Sequence, residues 1–269
     1  MRPAWAMAEE RPAWETQAMT AAGTGGVDRV VAAMQERLDR LTPAREARRT
    51  FLATYQRTTV AVGKAIAGGH FEDPAWVEEW DVAFADLYLT ALDQDLSGDP
   101  SVPRPWRLAF DAPSKLPPLR QVLLGINAHI NYDLPQALLA VISDEQFSDP
   151  AMVKTRRRDH ERIDGVLSGR VGAEDQELAA TSARSALDRL LQPLNRRASQ
   201  RFLREARQKV WHNTTELQRA RLAGPEEYAV RLAELELLSA AKIADLLAPG
   251  QVLLRLAVAG FGVTLPPPI

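Results

Sequence analysis

The residues best suited to chemistry are the histidines, because three of the four have a carboxylate four residues later in the chain. The pairs are His129 with Asp133, His160 with Asp164, and His212 with Glu216. Residues four apart on a helix share a face, so each imidazole and its acid can converge on one point. Helix stabilisation alone favours the acid nearer the N-terminus, and the reversed order here favours a chemical role.

Such pairs are typical of metal ligands. A histidine and a carboxylate four residues apart can bind one divalent ion, and several helices together can complete its coordination shell. The sequence therefore predicts a zinc or iron site whose ligands are His129, Asp133, His160, Asp164, His212 and Glu216. An ion held in this way polarises a bound water for hydrolysis. The alternatives are a buried structural network of polar groups for the first pair and a helix surface pair for the other two.

The first pair lies in an apolar stretch, Leu123–Val141, with a polar cluster in its middle. The cluster consists of Asn127, His129, Asn131 and Asp133. Apolar residues on both sides predict that the cluster is buried, where each polar group needs a partner or a ligand. Pro135 removes a backbone donor and predicts that the helix bends or restarts beside the cluster. We expect His129, Asp133 and Asn131 to be catalytic.

Four further side chains are expected to support the ligands or bind the substrate: Asn127, Tyr132, Asp81 and Trp211. Asp81 flanks Trp80 in the apolar stripe of a predicted helix and can face inward. His160 lies in TRRRDHERID and is expected to be more exposed than His129. The arginine runs at 156–158 and 196–197 predict solvated helix faces, and His70 is expected in a loop.

Composition excludes several classes of protein. The chain has no cysteine, which excludes disulfides, thiol catalysis and thiolate metal sites and fits a reducing compartment. A net charge of -2 argues against a nucleic-acid-binding protein. No apolar run is long enough to span a membrane, and the N-terminus lacks the apolar core of a secretory signal, so we expect a cytoplasmic protein. The sequence contains no Glu-x-x-His, HExxH, GxSxG, Walker A or GxGxxG motif.

Helical periodicity extends over most of the chain and strand patterns are nearly missing, so the predicted fold is all-α, a single bundle of about eight or nine helices. Residues 1–26 are predicted to be a flexible extension, 27–260 the helical domain and 261–269 a tail. The predicted helices are Val27–Leu41, Pro43–Ala67, Ala75–Leu96, 119–133, 135–147, Pro150–Leu167, Glu174–Leu191, Asn195–Leu222, Pro225–Leu247 and Val252–Ala259. The Pro-rich stretch Ser97–Pro118 is predicted to be irregular, either over a binding cleft or as a surface crossover.

Two stretches, NAHINYDLP and FEDPAWVEEWDVAFADLYLTAL, resemble the bacterial domain-of-unknown-function family 5995 over about Met34 to Leu222. The family's HIN-x-DLP pattern matches Asn127, His129, Asn131, Asp133 and Pro135, and its later acidic stretch resembles Asp159 to Asp164. This resemblance implies a helical fold without an assigned reaction. The repeated His-x3-Asp/Glu pairs are also distantly similar to the all-α zinc-dependent phospholipase C and P1 nuclease group, whose enzymes gather such residues around zinc. The chain has fewer histidines than that group and lacks its N-terminal Trp.

The leading functional hypothesis is a divalent-metal-dependent hydrolase of ester or phosphoester substrates. One alternative is a non-catalytic helical binding or accessory module whose polar cluster is structural. Another is a metal-free acid–base enzyme, a cyclase or isomerase, that uses His129. Each hypothesis has a small-molecule ligand or substrate as the partner, and the sequence leaves the oligomeric state open.

Overall fold

The computed structural model describes residues 25–42, 45–116, 118–181 and 209–248, with the side chains at 118, 119, 164 and 167–181 excepted. Its helices are α1 (Gly26–Arg40), α2 (Glu46–Ala67), α3 (Pro74–Ser97), α4 (Arg104–Phe110), α5 (Pro118–Ala128), α6 (Leu134–Val141), α7 (Asp144–Ser148), α8 (Pro150–Thr181), α9 (209–223) and α10 (Pro225–Leu247). A π-helical turn, His129–Asp133, joins α5 to α6. No strand occurs in these ranges. The prediction of an all-α bundle is confirmed.

Helix α3 lies between two apolar cores. Its N-terminal half contributes Trp76, Val77 and Trp80 to a core shared with α6. Its C-terminal half contributes Ala85, Tyr88, Leu89 and Leu92 to a core shared with α1, α2, α4 and α5. The helix begins where the sequence predicts, because the Asp73 side chain accepts a hydrogen bond from the Trp76 N–H at 3.1 Å and Pro74 occupies the first turn. Side chains midway along α3 therefore lie where the two cores meet.

Helix α5, the π turn and α6 form one continuous rod. Pro135 has no N–H, and its ring would clash with the carbonyl four residues earlier, so α-helical bonding cannot pass through this point. The chain responds by widening, and the Leu134 N–H bonds to the His129 carbonyl five residues back. The predicted bend or restart at Pro135 is therefore a π turn, a feature that occurs often at functional sites. The rod ends at Val141, earlier than predicted, and Ser143 caps the separate helix α7.

The Pro-rich stretch contains helix α4, so the prediction of an irregular connection is wrong at 104–110. Pro103 precedes the helix, and Pro105 lies in its first turn, where a missing N–H breaks no intrahelical bond. The helix carries Trp106, which is only 1% exposed. The segment therefore supplies a buried indole ring to the core.

A network of ion pairs holds α8 against the loop before α3. The Asp159 carboxylate is fully buried and accepts hydrogen bonds from the backbone N–H groups of Glu72 and Asp73, both at 2.8 Å. Arg156 donates to the Asp73 carboxylate at 2.5 Å, and its guanidinium lies 4.6 Å from the Trp76 ring centre. The predicted solvated face is therefore wrong at Arg156, because this side chain is buried between an acid and an aromatic ring.

Other predicted boundaries have mixed outcomes. Helix α8 continues to Thr181, past its predicted end at Leu167. His70 lies in the connection between α2 and α3, as expected. Residues 1–24, 182–208 and 249–269 lie outside the described residues, so the predicted helix end at Leu191 and the limits of the extension, domain and tail stay predictions. Within the described ranges, no helix is both long enough and apolar enough to span a bilayer.

Candidate functional site

The π turn places His129 and Asp133 in direct contact. The His129 Nδ1 atom lies 2.8 Å from the Asp133 Oδ2 atom, and the two side chains are 5% and 2% exposed. The indole N–H of Trp106 donates to the same Oδ2 atom at 2.8 Å. One carboxylate oxygen therefore fixes the orientation of the imidazole and is itself held by a residue from α4. The predicted convergence of this pair on a buried point agrees with this geometry.

Aromatic rings surround the imidazole of His129. The Phe84 ring is stacked on it, with 3.5 Å between ring centres and 5° between planes, and the Tyr55 ring centre is 4.6 Å away. Phe51, Tyr88 and Trp106 complete the shell at 6.2, 5.9 and 5.8 Å. Phe84 is half-buried, whereas His129 is buried, so the Phe84 ring is a layer between this imidazole and solvent.

Burial controls the protonation of the pair. Desolvation lowers the pKa of His129 well below its ordinary value and raises that of Asp133 well above it, although the Trp106 hydrogen bond acts against the second change. Both changes favour a pair without net charge, in which Asp133 carries a proton shared with Nδ1 and the other ring nitrogen, Nε2, carries the imidazole proton. When Nε2 loses its proton, the proton on Asp133 can move to Nδ1. The Asp133 carboxylate then accepts two N–H bonds.

Four buried polar atoms of α2, α3 and the π turn have no hydrogen-bond partner among the described residues. They are His129 Nε2, Tyr55 Oη, Tyr88 Oη and Asp81 Oδ2. The four residues are 4%, 8%, 0% and 8% exposed, respectively. Leaving a buried polar group unsatisfied costs about 1–3 kcal/mol, so a group of such atoms indicates a place for a ligand, ordered water or a reaction.

Asp81 is buried, as predicted. Its charge acts on the pKa of the Tyr55 hydroxyl more strongly than any other neighbouring charge. After desolvation, that charge is the leading cause raising the pKa of the Tyr55 hydroxyl. Desolvation, followed by the charge of Glu78, raises the pKa of Asp81 itself to about 7. Tyr55 therefore contacts the His129 ring, with 4.6 Å between ring centres, and its hydroxyl is influenced by the charge of Asp81.

His160 and Trp211 bind each other in a second buried location. His160 is 1% exposed, so the expectation of an exposed side chain is wrong. Its Nδ1 atom accepts a hydrogen bond from the Trp211 indole at 3.0 Å, and the Trp80 ring centre lies 5.3 Å away. His129 contacts Phe84, one turn further along α3 than Trp80. The two histidines therefore contact successive turns of α3 through different aromatic rings.

The remaining predicted ligands lie elsewhere or beyond what the structure describes. His212 is exposed, and Glu216 forms an ion pair with Arg219 at 2.6 Å. The side chain of Asp164 lies outside the described residues. Among the side chains that are described, no group of three or more His, Asp or Glu residues is placed to hold a metal ion.

Asn131, expected to be catalytic, and Asn127 and Tyr132, expected to support the ligands or bind the substrate, make other contacts in the structure. The Asn131 amide donates to Asn127 at 3.2 Å, and the Asn127 amide donates to the Leu123 carbonyl at 2.7 Å. Tyr132 packs in a small apolar core with Leu217 and other residues. These contacts hold the rod together along faces other than the one that carries the His129–Asp133 bond.

Sequence reasoning missed three residues at the site: Trp106, Tyr55 and Phe84. A buried Trp needs a partner for its indole N–H, and Trp106 is the Trp of the Pro-rich stretch. That requirement was the available signal for a link to a buried acid. Phe84 shows only the spacing of an apolar helix face, and no local pattern marks Tyr55 as a neighbour of His129.

Comparison with known proteins gives a family and no activity. No curated protein and no solved structure matches the chain. The distant similarity to zinc-dependent phospholipases and nucleases stays a prediction. The model described as "Family of unknown function (DUF5995)" matches residues 27–249, about four fifths of the 269-residue chain. That range contains the whole of the site described above, and the chain belongs to the DUF5995 family of unknown function.

Proposed function

We propose that this protein is a metal-independent acid–base enzyme, an isomerase or cyclase, that moves a proton on a small substrate through His129 Nε2. The proposal rests on one observation. Asp133 holds Nδ1 at 2.8 Å, and the opposite ring nitrogen is buried without a hydrogen-bond partner among the described residues. A carboxylate that orients one imidazole nitrogen while the other remains available is the arrangement of a general acid–base histidine.

The proton can be followed through a full cycle. Nε2 gives its proton to one atom of the substrate, and the proton on Asp133 Oδ2 moves to Nδ1. The Asp133 carboxylate formed in this step is stabilised by Nδ1–H and by the Trp106 indole N–H, which lies 2.8 Å from Oδ2. Nε2 then takes a proton from another atom of the substrate, and the Nδ1 proton returns to Asp133. The substrate is rearranged, and no proton is gained or lost overall.

The experiment uses deuterium exchange and needs no knowledge of the substrate. An enzyme that removes and returns a proton transfers solvent deuterium to its substrate. The purified full chain is incubated in D2O with a pool of small metabolites, and mass spectrometry identifies any compound that gains deuterium. We expect His129→Gln to abolish the exchange of that compound. The matched control is His212→Gln, because His212 is an exposed histidine of α9, and this variant should exchange like the wild type.

Two outcomes would overturn the proposal. The first is that no compound in the pool exchanges with the wild-type protein above a heat-denatured control. The second is that His129→Gln, folded by circular dichroism, retains the exchange. Either result would favour the reading of the cluster as a structural network in a binding module.

A second candidate, the metal-dependent hydrolase of esters or phosphoesters, has one observation in its favour. A carboxylate on one nitrogen of a histidine is also the usual support of a metal-bound imidazole, with the metal at the other nitrogen. His129 Nε2 would then be a ligand of zinc or iron. Elemental analysis of protein purified without a histidine tag tests this candidate. A stoichiometric ion that is lost in His129→Gln and kept in His212→Gln would favour it over the acid–base proposal.

A further inference from the structure

Helix α3 carries a buried carboxylate that the acid–base step does not use. Asp81 is 8% exposed, and its Oδ2 atom has no hydrogen-bond partner among the described residues. Buried carboxylates in folded proteins are paired, hydrogen-bonded or bound to a ligand, because an isolated buried charge is costly. The Asp81 Oδ2 atom is therefore a buried polar atom for which the described part of the chain supplies no partner.

The missing partner has a definite chemical character. The charged neighbour that acts on Asp81 is Glu78, an acid, and no cationic side chain in the described ranges forms an ion pair with Asp81. Asp81 shares a face of α3 with Phe84 and Tyr88, three and seven residues later, and both of these rings contact the imidazole of His129. A carboxylate among aromatic rings complements an organic cation, which gains both an ion pair and contact with ring faces.

We propose that Asp81 binds the cationic amino group of the substrate on which the His129–Asp133 pair acts. This inference rests on the proposed function because it calls the ligand a substrate. Amine binding at Asp81 can nevertheless be measured without any reaction. The Tyr55 hydroxyl also lacks a hydrogen-bond partner in the described ranges, and the Tyr55 ring centre is 4.6 Å from that of His129, so this hydroxyl is a second group for the same ligand. The substrate class is therefore a small primary amine.

The test is calorimetric titration of the full chain with a series of n-alkylammonium chlorides from methyl to butyl. The alcohol of equal length serves as the uncharged probe in each case. Titration is done at about pH 8, where Asp81 is ionised because its pKa is about 7. We expect one or more ammonium ions to bind at least tenfold more tightly than the matched alcohol. Asp81→Asn should remove this preference, and the control Asp86→Asn, which changes an exposed carboxylate on the same helix, should keep it.

Failure of this inference can be distinguished from failure of the proposed function. The variant His129→Gln should lose deuterium exchange and yet bind the ammonium probe within threefold of the wild type. If exchange depends on His129 and no ammonium ion binds, or if Asp81→Asn binds it unchanged, the amine proposal is wrong and the acid–base proposal stands. If the ammonium ion binds through Asp81 and nothing exchanges, the amine site stands and the acid–base proposal is wrong.

Discussion

Gly125→Ala tests how tightly the rings around His129 are packed. A Cβ atom at position 125 would lie 2.3 Å from the Cδ2 atom of Phe51 and 2.6 Å from its Cγ atom. Carbon atoms in ordinary contact are about 3.5–4 Å apart, so the ring or the α5 backbone must move by more than about 1 Å. The Phe51 ring is 6% exposed and lies against the rings of Tyr88 and Trp106, with centre distances of 5.0 and 5.5 Å, so it has little room to move.

The expected magnitude follows from two opposing effects. Overpacking a well-packed core costs roughly 1–3 kcal/mol, and this overlap belongs at the upper end. Replacing a helical glycine by alanine gains up to about 1 kcal/mol. We therefore expect urea unfolding to give Gly125→Ala a net loss of about 2 kcal/mol. The matched control is Gly165→Ala, because a Cβ there meets nothing within 4 Å on an exposed helix face and should stabilise the protein.

A compensating change sharpens the test. Phe51→Leu in the Gly125→Ala background removes the ring that the new Cβ overlaps, so the double variant should be more stable than the sum of the two single changes predicts. The reasoning would be refuted if Gly125→Ala proved as stable as the wild type. Strictly additive effects of the two changes would also refute it.

Three further variants test the electrostatics of the fold. Trp106→Phe removes the N–H group that Asp133 accepts at 2.8 Å, so urea unfolding should show a loss of roughly 1.5–3 kcal/mol, and unchanged stability would contradict the hydrogen bond. Asp81 keeps its proton to higher pH when folded than when unfolded, because its pKa rises from 3.8 to about 7, so wild-type stability should fall as the pH rises from about 4 to about 7. Asp81→Asn should remove this fall in stability. The variant should be more stable than the wild type by on the order of 4 kcal/mol at about pH 8 and equally stable at about pH 4. The same pH dependence in both proteins would contradict the burial of this acid. Asp159→Asn replaces one of the two carboxylate oxygens that accept backbone N–H bonds at 2.8 Å, so thermal unfolding should show a loss of stability of about 2 kcal/mol. The control Glu161→Gln changes an exposed residue of α8 and should unfold like the wild type.

The parts of the fold that depend on local physics could be predicted from the sequence. The Asp73-Pro74 dipeptide marks the start of α3 because a carboxylate cap and a proline both suit the first turn. The contact of His129 with Asp133 follows from their spacing and from the apolar residues on each side. What spacing alone did not predict was the π turn that carries them, since its hydrogen bonds depend on how the chain resolves the clash at Pro135.

The parts that depend on long-range packing were missed. His160 lies among seven charged residues in TRRRDHERID, which is typical of a surface helix, yet the structure buries it. The reason is that Arg156 and Asp159 find their partners in the loop before α3 instead of in water. Trp106 was missed because α4 has only seven residues and shows no helical period between its prolines. The local pattern of a buried ion network predicts an exposed helix, and the local pattern of a very short helix predicts an irregular segment, so both predictions are wrong here.

The π turn has a consequence for insertions and deletions in this region. It adds a residue to the rod, and each residue of an α-helix accounts for about 100° of rotation. Removing one residue between 129 and 133 would rotate Leu134, Ala137 and Leu138 by about 100° relative to α5 and turn them away from the core that they share with α3. The extra residue changes the rotation of α6 about the rod axis, so that α5 packs into one apolar core and α6 packs into the other. A length change here would therefore alter the His129–Asp133 spacing and the orientation of α6 against α3 at the same time.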